Sequence, residues 1–103
     1  MEKEPRRWVV YLLRCSDGSL YCGVTNDVGK RLEAHNVGKG AKYTRSRTPV
    51  ALVCTSVSMT KSDAHKLEYR VKQAPAQRKE QMIRMDGEPG KPVRSKKEVI
   101  DRT

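Results

Sequence analysis

The chain has no phenylalanine, a single tryptophan and four tyrosines among its 103 residues, so aliphatic residues must supply most of a modest core. Cysteine is also scarce. Cys15, Cys22 and Cys54 are odd in number and widely spaced, with no C-x-x-C and no nearby His pair of the kind zinc sites use. They read as small buried residues in a reducing compartment. No apolar stretch reaches membrane-spanning length, and residues 1–5 lead with acids rather than a signal-peptide start. A cytoplasmic protein with no membrane partner is expected. Acidic residues are the remaining shortage: 12 Asp and Glu stand against 22 Lys and Arg, for a formal charge of +10 and a pI near 9.9. On a chain with room for one small domain, such an excess attracts polyanions, and nucleic acid is the first partner to expect. Enzymes and simple binders of nucleic acid share this charge, so composition leaves both open.

Periodicity divides the chain. Residues 9–13, VVYLL, and 20–24, LYCGV, flank the turn signal Ser16-Asp17-Gly18-Ser19 and read as a β-hairpin. Thr25-Asn26-Asp27 offers N-cap chemistry to a short helix over 28–35, with Val28 and Leu32 four apart and Gly38 as a stop. Residues 36–49 hold Gly38, Gly40, Pro49 and the cations Lys39, Lys42, Arg45 and Arg47, a mixture suited to a basic loop rather than an element. A third strand follows at about 50–57. Ser58 or Thr60 can cap a second helix whose stripe is Ala64, Leu67 and Val71, before Pro75 interrupts or restarts it. Residues 86–103 are rich in Gly, Pro and charge and cannot offset their ordering entropy, so a mobile basic tail is expected after a single domain over 1–85.

The hairpin carries Tyr11 and Tyr21, and its turn length decides whether they meet, because side chains alternate faces along a strand. A two-residue turn at Asp17-Gly18 puts Tyr21 opposite Arg14 and points Tyr11 the other way. A three-residue loop over 16–18, with Gly18 in the left-handed region, puts Tyr21 opposite Leu13 and Tyr11 diagonally beside it on the same face. Glycine at the one position needing positive φ suits the second choice. A hairpin with one tyrosine in the core and the other solvated is the ordinary alternative.

Arg31 and His35 are one turn apart on the first helix and share a face. Glu68 lies beside the stripe of the second helix, where a pair with Lys72 would be worth only ~0.3–0.5 kcal/mol. Singly, each has a bland explanation. Together, two tyrosines, an arginine, a histidine and a carboxylate supply a base for water, a cation for a charged phosphoryl state and a ligand for a hard cation.

The string Val9-Val10-Tyr11, then Tyr21-Cys22-Gly23 after nine residues, then NDVGKRLEAHNVGKGAKYTR and finally Glu68 within HKLEYRVK resembles the GIY-YIG nuclease domain, in its small stand-alone bacterial YhbQ-like branch. The resemblance covers about residues 8–75. It implies an α+β fold: a small three-stranded, mainly antiparallel sheet flanked by helices. It implies an endonuclease that uses Mg²⁺ or Mn²⁺ to hydrolyse DNA, with RNA also open. Tyr11 would be the general base, Tyr21 would position the phosphate or metal-bound water, and Gly23 would allow close approach. Arg31 would neutralise the scissile phosphate, His35 would hydrogen-bond near the base, and Glu68 would be the metal ligand. A tyrosine with an ordinary pKa near 10 needs help from a cation to act at neutral pH.

Departures from the family pattern are Val9 and Cys22 at positions with no chemical task, and the absence of any asparagine after Asn36. Either Gln73 or Lys72 substitutes, or the site is less complete than in the active nucleases. No attached recognition domain is expected, so Lys39, Lys42, Arg45 and Arg47 are candidate phosphate contacts and Tyr43 a candidate stacking partner for a base. A structure-selective or repair nuclease, as a monomer or weak dimer with no obligatory protein partner, is the favoured expectation. A nucleic-acid-binding module that has lost turnover is the alternative.

Overall fold

A computed structural model describes residues 5–85, as strands β1 (Val9–Arg14), β2 (Leu20–Thr25) and β3 (Ala51–Thr55) with helices α1 (Val28–Asn36), α2 (Lys42–Arg45), α3 (Lys61–Lys72) and α4 (Ala76–Met85). The expected tail at 86–103 lies outside the described residues. The sheet has the order β2-β1-β3 with both pairs antiparallel, the expected α+β architecture.

A β-branched and apolar β1 belongs in the centre because it can be buried on both faces. Val10 and Leu12 join Cys22, Cys54, Met59, Ala64, Leu67, Val71 and Ile83 in one core, under α3 and α4. Tyr11 and Leu13 face the other way, into a smaller core with Cys15 and Val50 that Tyr21, Val28 and Leu32 border. All three cysteines are free and buried.

The hairpin has the three-residue loop. Gly18 N donates to Cys15 O at 2.9 Å, Cys15 N donates to Ser19 O at 2.8 Å, and Gly18 adopts φ 87°. Tyr21 therefore pairs with Leu13, and Tyr11 with Gly23. On the other side of β1 the register shifts between Leu12, opposite Cys54, and Leu13, opposite Leu52, which leaves Val53 as the extra residue of a bulge.

Helix ends follow local chemistry. The Asp27 side chain caps α1 by accepting from Lys30 N at 3.1 Å, and Thr60 caps α3 by accepting from Asp63 N at 3.1 Å. Past α1, Gly38 N donates to His35 O at 3.1 Å and Lys39 N to Ala34 O at 2.8 Å, with Gly38 at φ 82°. This pair of bonds reverses the chain at a left-handed glycine and carries residues 39–41 back over His35. Here the structure corrects the sequence expectation: the basic loop contains a turn of helix, α2, whose one buried residue is Thr44. A single turn has no room for an apolar period, which is why it reads as loop. Asn36 fixes the far end, accepting from Val50 N at 2.7 Å and donating to Val50 O at 3.1 Å.

Candidate active site

Tyr11, from the central strand, and His35, from the last turn of α1, are both buried and meet at 2.9 Å between the phenolic oxygen and Nε2. Arg31, one turn earlier on α1 and half-buried, donates from Nε to the same oxygen at 3.4 Å. The Tyr21 ring, also half-buried, lies 6.4 Å from that of Tyr11 and 5.3 Å from that of His35, centroid to centroid. The hairpin register and the helical spacing of four thus converge on one oxygen. Burial pushes the Tyr11 pKa up, against the bond from Arg31. Burial, and then the charge of Arg31, push the His35 pKa down. The site holds a neutral imidazole against a neutral phenol, with one cation at its rim.

Two glycines make the approach possible. A Cβ on Gly23 would run into the Tyr11 hydroxyl and ring, and one on Gly40 into Nδ1 of His35. The family pattern has Gly23 admit substrate; in the structure the space it leaves is filled by Tyr11, its partner across the strands. Gly40, Ala41 and Thr44 escape sequence reasoning altogether. Thr44 Oγ1 lies 2.7 Å from His35 Nδ1, and a threonine in a basic loop gives no signal of this.

Glu68 comes from the layer behind the sheet. It is half-buried, and its two oxygens meet Lys72 Nζ at 3.2 Å and His65 Nδ1 at 3.5 Å. Cys22, which faces α3 while its neighbour Tyr21 faces α1, has its thiol pushed up to about 12, first by burial and then by the Glu68 carboxylate. Lys72 connects the layers, because its ammonium also lies 5.8 Å from the Tyr21 ring centre. Burial acts against that charge, but the Glu68 carboxylate, joined by Tyr21 and Cys22, raises the lysine's pKa on balance. The structure therefore gathers Tyr11, Tyr21, Arg31 and His35 on one face and presents Glu68 around the β2 edge, with Lys72 between.

Among the described residues no three His, Cys, Asp or Glu side chains group as metal ligands. One hard, partly exposed carboxylate oxygen pair fits a cation such as Mg²⁺, which retains several waters and is bound through one or two carboxylates plus substrate phosphate. It does not fit a dedicated cage.

In the basic segment, Lys39, Lys42 and Arg45 are exposed. Arg47 is already engaged: it bonds Asp17 at 3.0 Å, donates to the Tyr43 carbonyl at 2.7 Å, and lies 4.0 Å from the Tyr43 ring centre. Tyr43 in turn stacks on Tyr21 at 6.0 Å. Arg47 thus joins the hairpin turn to α2.

This geometry agrees with a match to known proteins. A family model of the GIY-YIG catalytic domain matches residues 7–81. The chain belongs to the GIY-YIG family. Among similar proteins, a UPF0213 protein of Bacillus velezensis is 55% identical over 73 residues, 71% of this chain and 74% of the relative. A UPF0213 protein of Nitratidesulfovibrio vulgaris is 49% identical over 72 residues, 70% of this chain and 66% of the relative. A solved solution structure of an Enterococcus faecalis protein aligns with a TM-score of 0.50 at 40% identity, covering 79% of this GIY-YIG chain and 85% of that one. Among the described residues, no helix is long and apolar enough to cross a membrane.

Proposed function

We propose that this GIY-YIG protein is a divalent-cation-dependent endonuclease that hydrolyses phosphodiester bonds of DNA. The observation that carries the reading is the Tyr11 oxygen held between His35 Nε2 and Arg31 Nε, because a plain binder has no use for a buried phenol aligned with an imidazole and a guanidinium. In the proposed reaction Tyr11 first gives its own proton to solvent and, as phenolate, takes a proton from the attacking water as the water oxygen bonds to phosphorus, and the bond from phosphorus to the leaving sugar oxygen breaks. Solvent protonates that oxygen. Arg31 offsets charge on the phosphate and His35 orients the phenol. Tyr21, at the open side of the cluster, positions the phosphate. Glu68 would hold Mg²⁺ or Mn²⁺, whose charge favours the developing phosphorane-like state. Lys72, beside Glu68 and Tyr21, takes the place of the missing asparagine. The net charge of +10 supplies attraction to the backbone, and selection by DNA structure, as in repair, falls to the exposed cations of the basic segment.

Wild type, Glu68→Ala and Arg31→Ala are to be compared on labelled single-stranded, duplex, flap and branched DNA with Mg²⁺, Mn²⁺ or EDTA. Cation-dependent product from wild type alone, with salt-sensitive binding kept in both variants, is the expected result. Equal loss of binding and cleavage contradicts it. Binding by every form without product in any lane replaces the nuclease with a binding module.

A further inference from the structure

Resting on the reading of Tyr11 and His35 as nuclease residues, we infer that Thr44 is a positioning residue: together with the Ala41 amide it fixes His35 as the Nε2–H tautomer, so that the imidazole donates to Tyr11.

The neutral ring carries one proton, and the groups around Nδ1 decide where it sits. Ala41 N lies 3.4 Å from Nδ1 with its N–H directed there. An amide N–H can only donate, so Nδ1 must offer its lone pair. The Thr44 hydroxyl has one proton and two acceptors in reach, the Ala41 carbonyl, to which it can donate at 3.0 Å, and Nδ1 at 2.7 Å. Because the Ala41 amide makes Nδ1 an acceptor, a contact as short as 2.7 Å between Nδ1 and the hydroxyl oxygen needs a proton between two lone pairs, and only the threonine can supply it. Two donors then face Nδ1, and the ring proton is left on Nε2, 2.9 Å from the Tyr11 oxygen.

No solvent competes for this arrangement. His35 and Thr44 are both 0% exposed, and the Gly40 backbone is so close to Nδ1 that a Cβ there would collide with it. The consequence falls on Tyr11, whose oxygen then receives two hydrogen bonds, from His35 Nε2–H and from Arg31 Nε–H. Both favour negative charge on an oxygen that burial alone would keep neutral.

The test uses the full-length ¹⁵N-labelled protein at neutral pH, with His35 ring nitrogens read by long-range proton–nitrogen NMR and distinguished from His65 with His65→Gln. Wild type and Thr44→Ser are expected as the Nε2–H tautomer. Thr44→Val, which keeps the side-chain shape, should raise the Nδ1–H population. On the best-cut DNA it should lower kcat of the order of tenfold at constant KM, the usual scale for removing an outer partner of a functional imidazole. Thr44→Ser should restore the rate. A wild-type ring found as Nδ1–H overturns the inference without any variant, as does a Thr44→Val protein unchanged in tautomer and kcat. If wild type cuts no DNA, the tautomer still decides the assignment of Thr44, and only the nuclease reading falls.

Discussion

At Tyr11, burial favours the neutral phenol, whereas the Arg31 guanidinium 3.4 Å away favours its anion. His35, beside both, is held below its usual pKa by burial and by Arg31. Its folded pKa is thus lower than the unfolded value of about 6.5. The associated stability is fully present above that value and is lost as pH falls through the folded pKa. The melting temperature should therefore drop between roughly pH 7 and pH 5, and His35→Gln should flatten that part of the profile when both proteins are melted across the range. A wild-type profile no steeper than that of the variant would contradict this. Gly40 makes a second prediction at the same scale. Gly40→Ala forces His35 or the loop to move, a small-to-large change expected to cost about 1–3 kcal/mol in denaturant unfolding and to reduce cleavage further than stability alone explains. Alternation and helical spacing make it legible that Tyr11 shares a face with Tyr21 and Arg31 with His35, whereas the choice of these residues together with Glu68 rests on the resemblance to the GIY-YIG domain. Gly40 and Thr44 are not legible, since their importance comes from a chain reversal that no short-range pattern announces.

Among the elements, the hairpin is legible down to its register, because Gly18 occupies the one position that needs positive φ and the turn length then sets every pair. The first helix comes within a residue of its expected bounds, and α3 starts after Thr60, one of its two expected caps, with its expected apolar stripe buried. The single turn α2 is hidden, its four residues carrying no period. The Gly38 reversal links α1 to α2, and Gly38→Ala places a Cβ at φ 82°, with an expected loss of about 1–2 kcal/mol. Because residues 39–41 leave that turn to cover His35, its ring resonances should shift with the stability. An unperturbed His35 spectrum would show that the loop closes without the glycine.

For the whole molecule, the charge of +10 is spread over cations with different duties. Lys39, Lys42 and Arg45 are exposed, while Arg47 spans Asp17, the Tyr43 carbonyl and the Tyr43 ring. Neutralising each of the first three should lower the salt slope of binding by about 0.9 on duplex or about 0.7 on single strands for every phosphate no longer neutralised. Arg47→Gln should instead lower the melting temperature and leave the slope nearly unchanged. An equal fall in slope from Arg47→Gln would reverse that division.

Tyr11 and the core share a strand. β1 is paired on both edges and buried on both faces, so the phenolic oxygen cannot be released by fraying of an end or lifting of a loop. For Tyr11, release of the side chain and collapse of the sheet are one event.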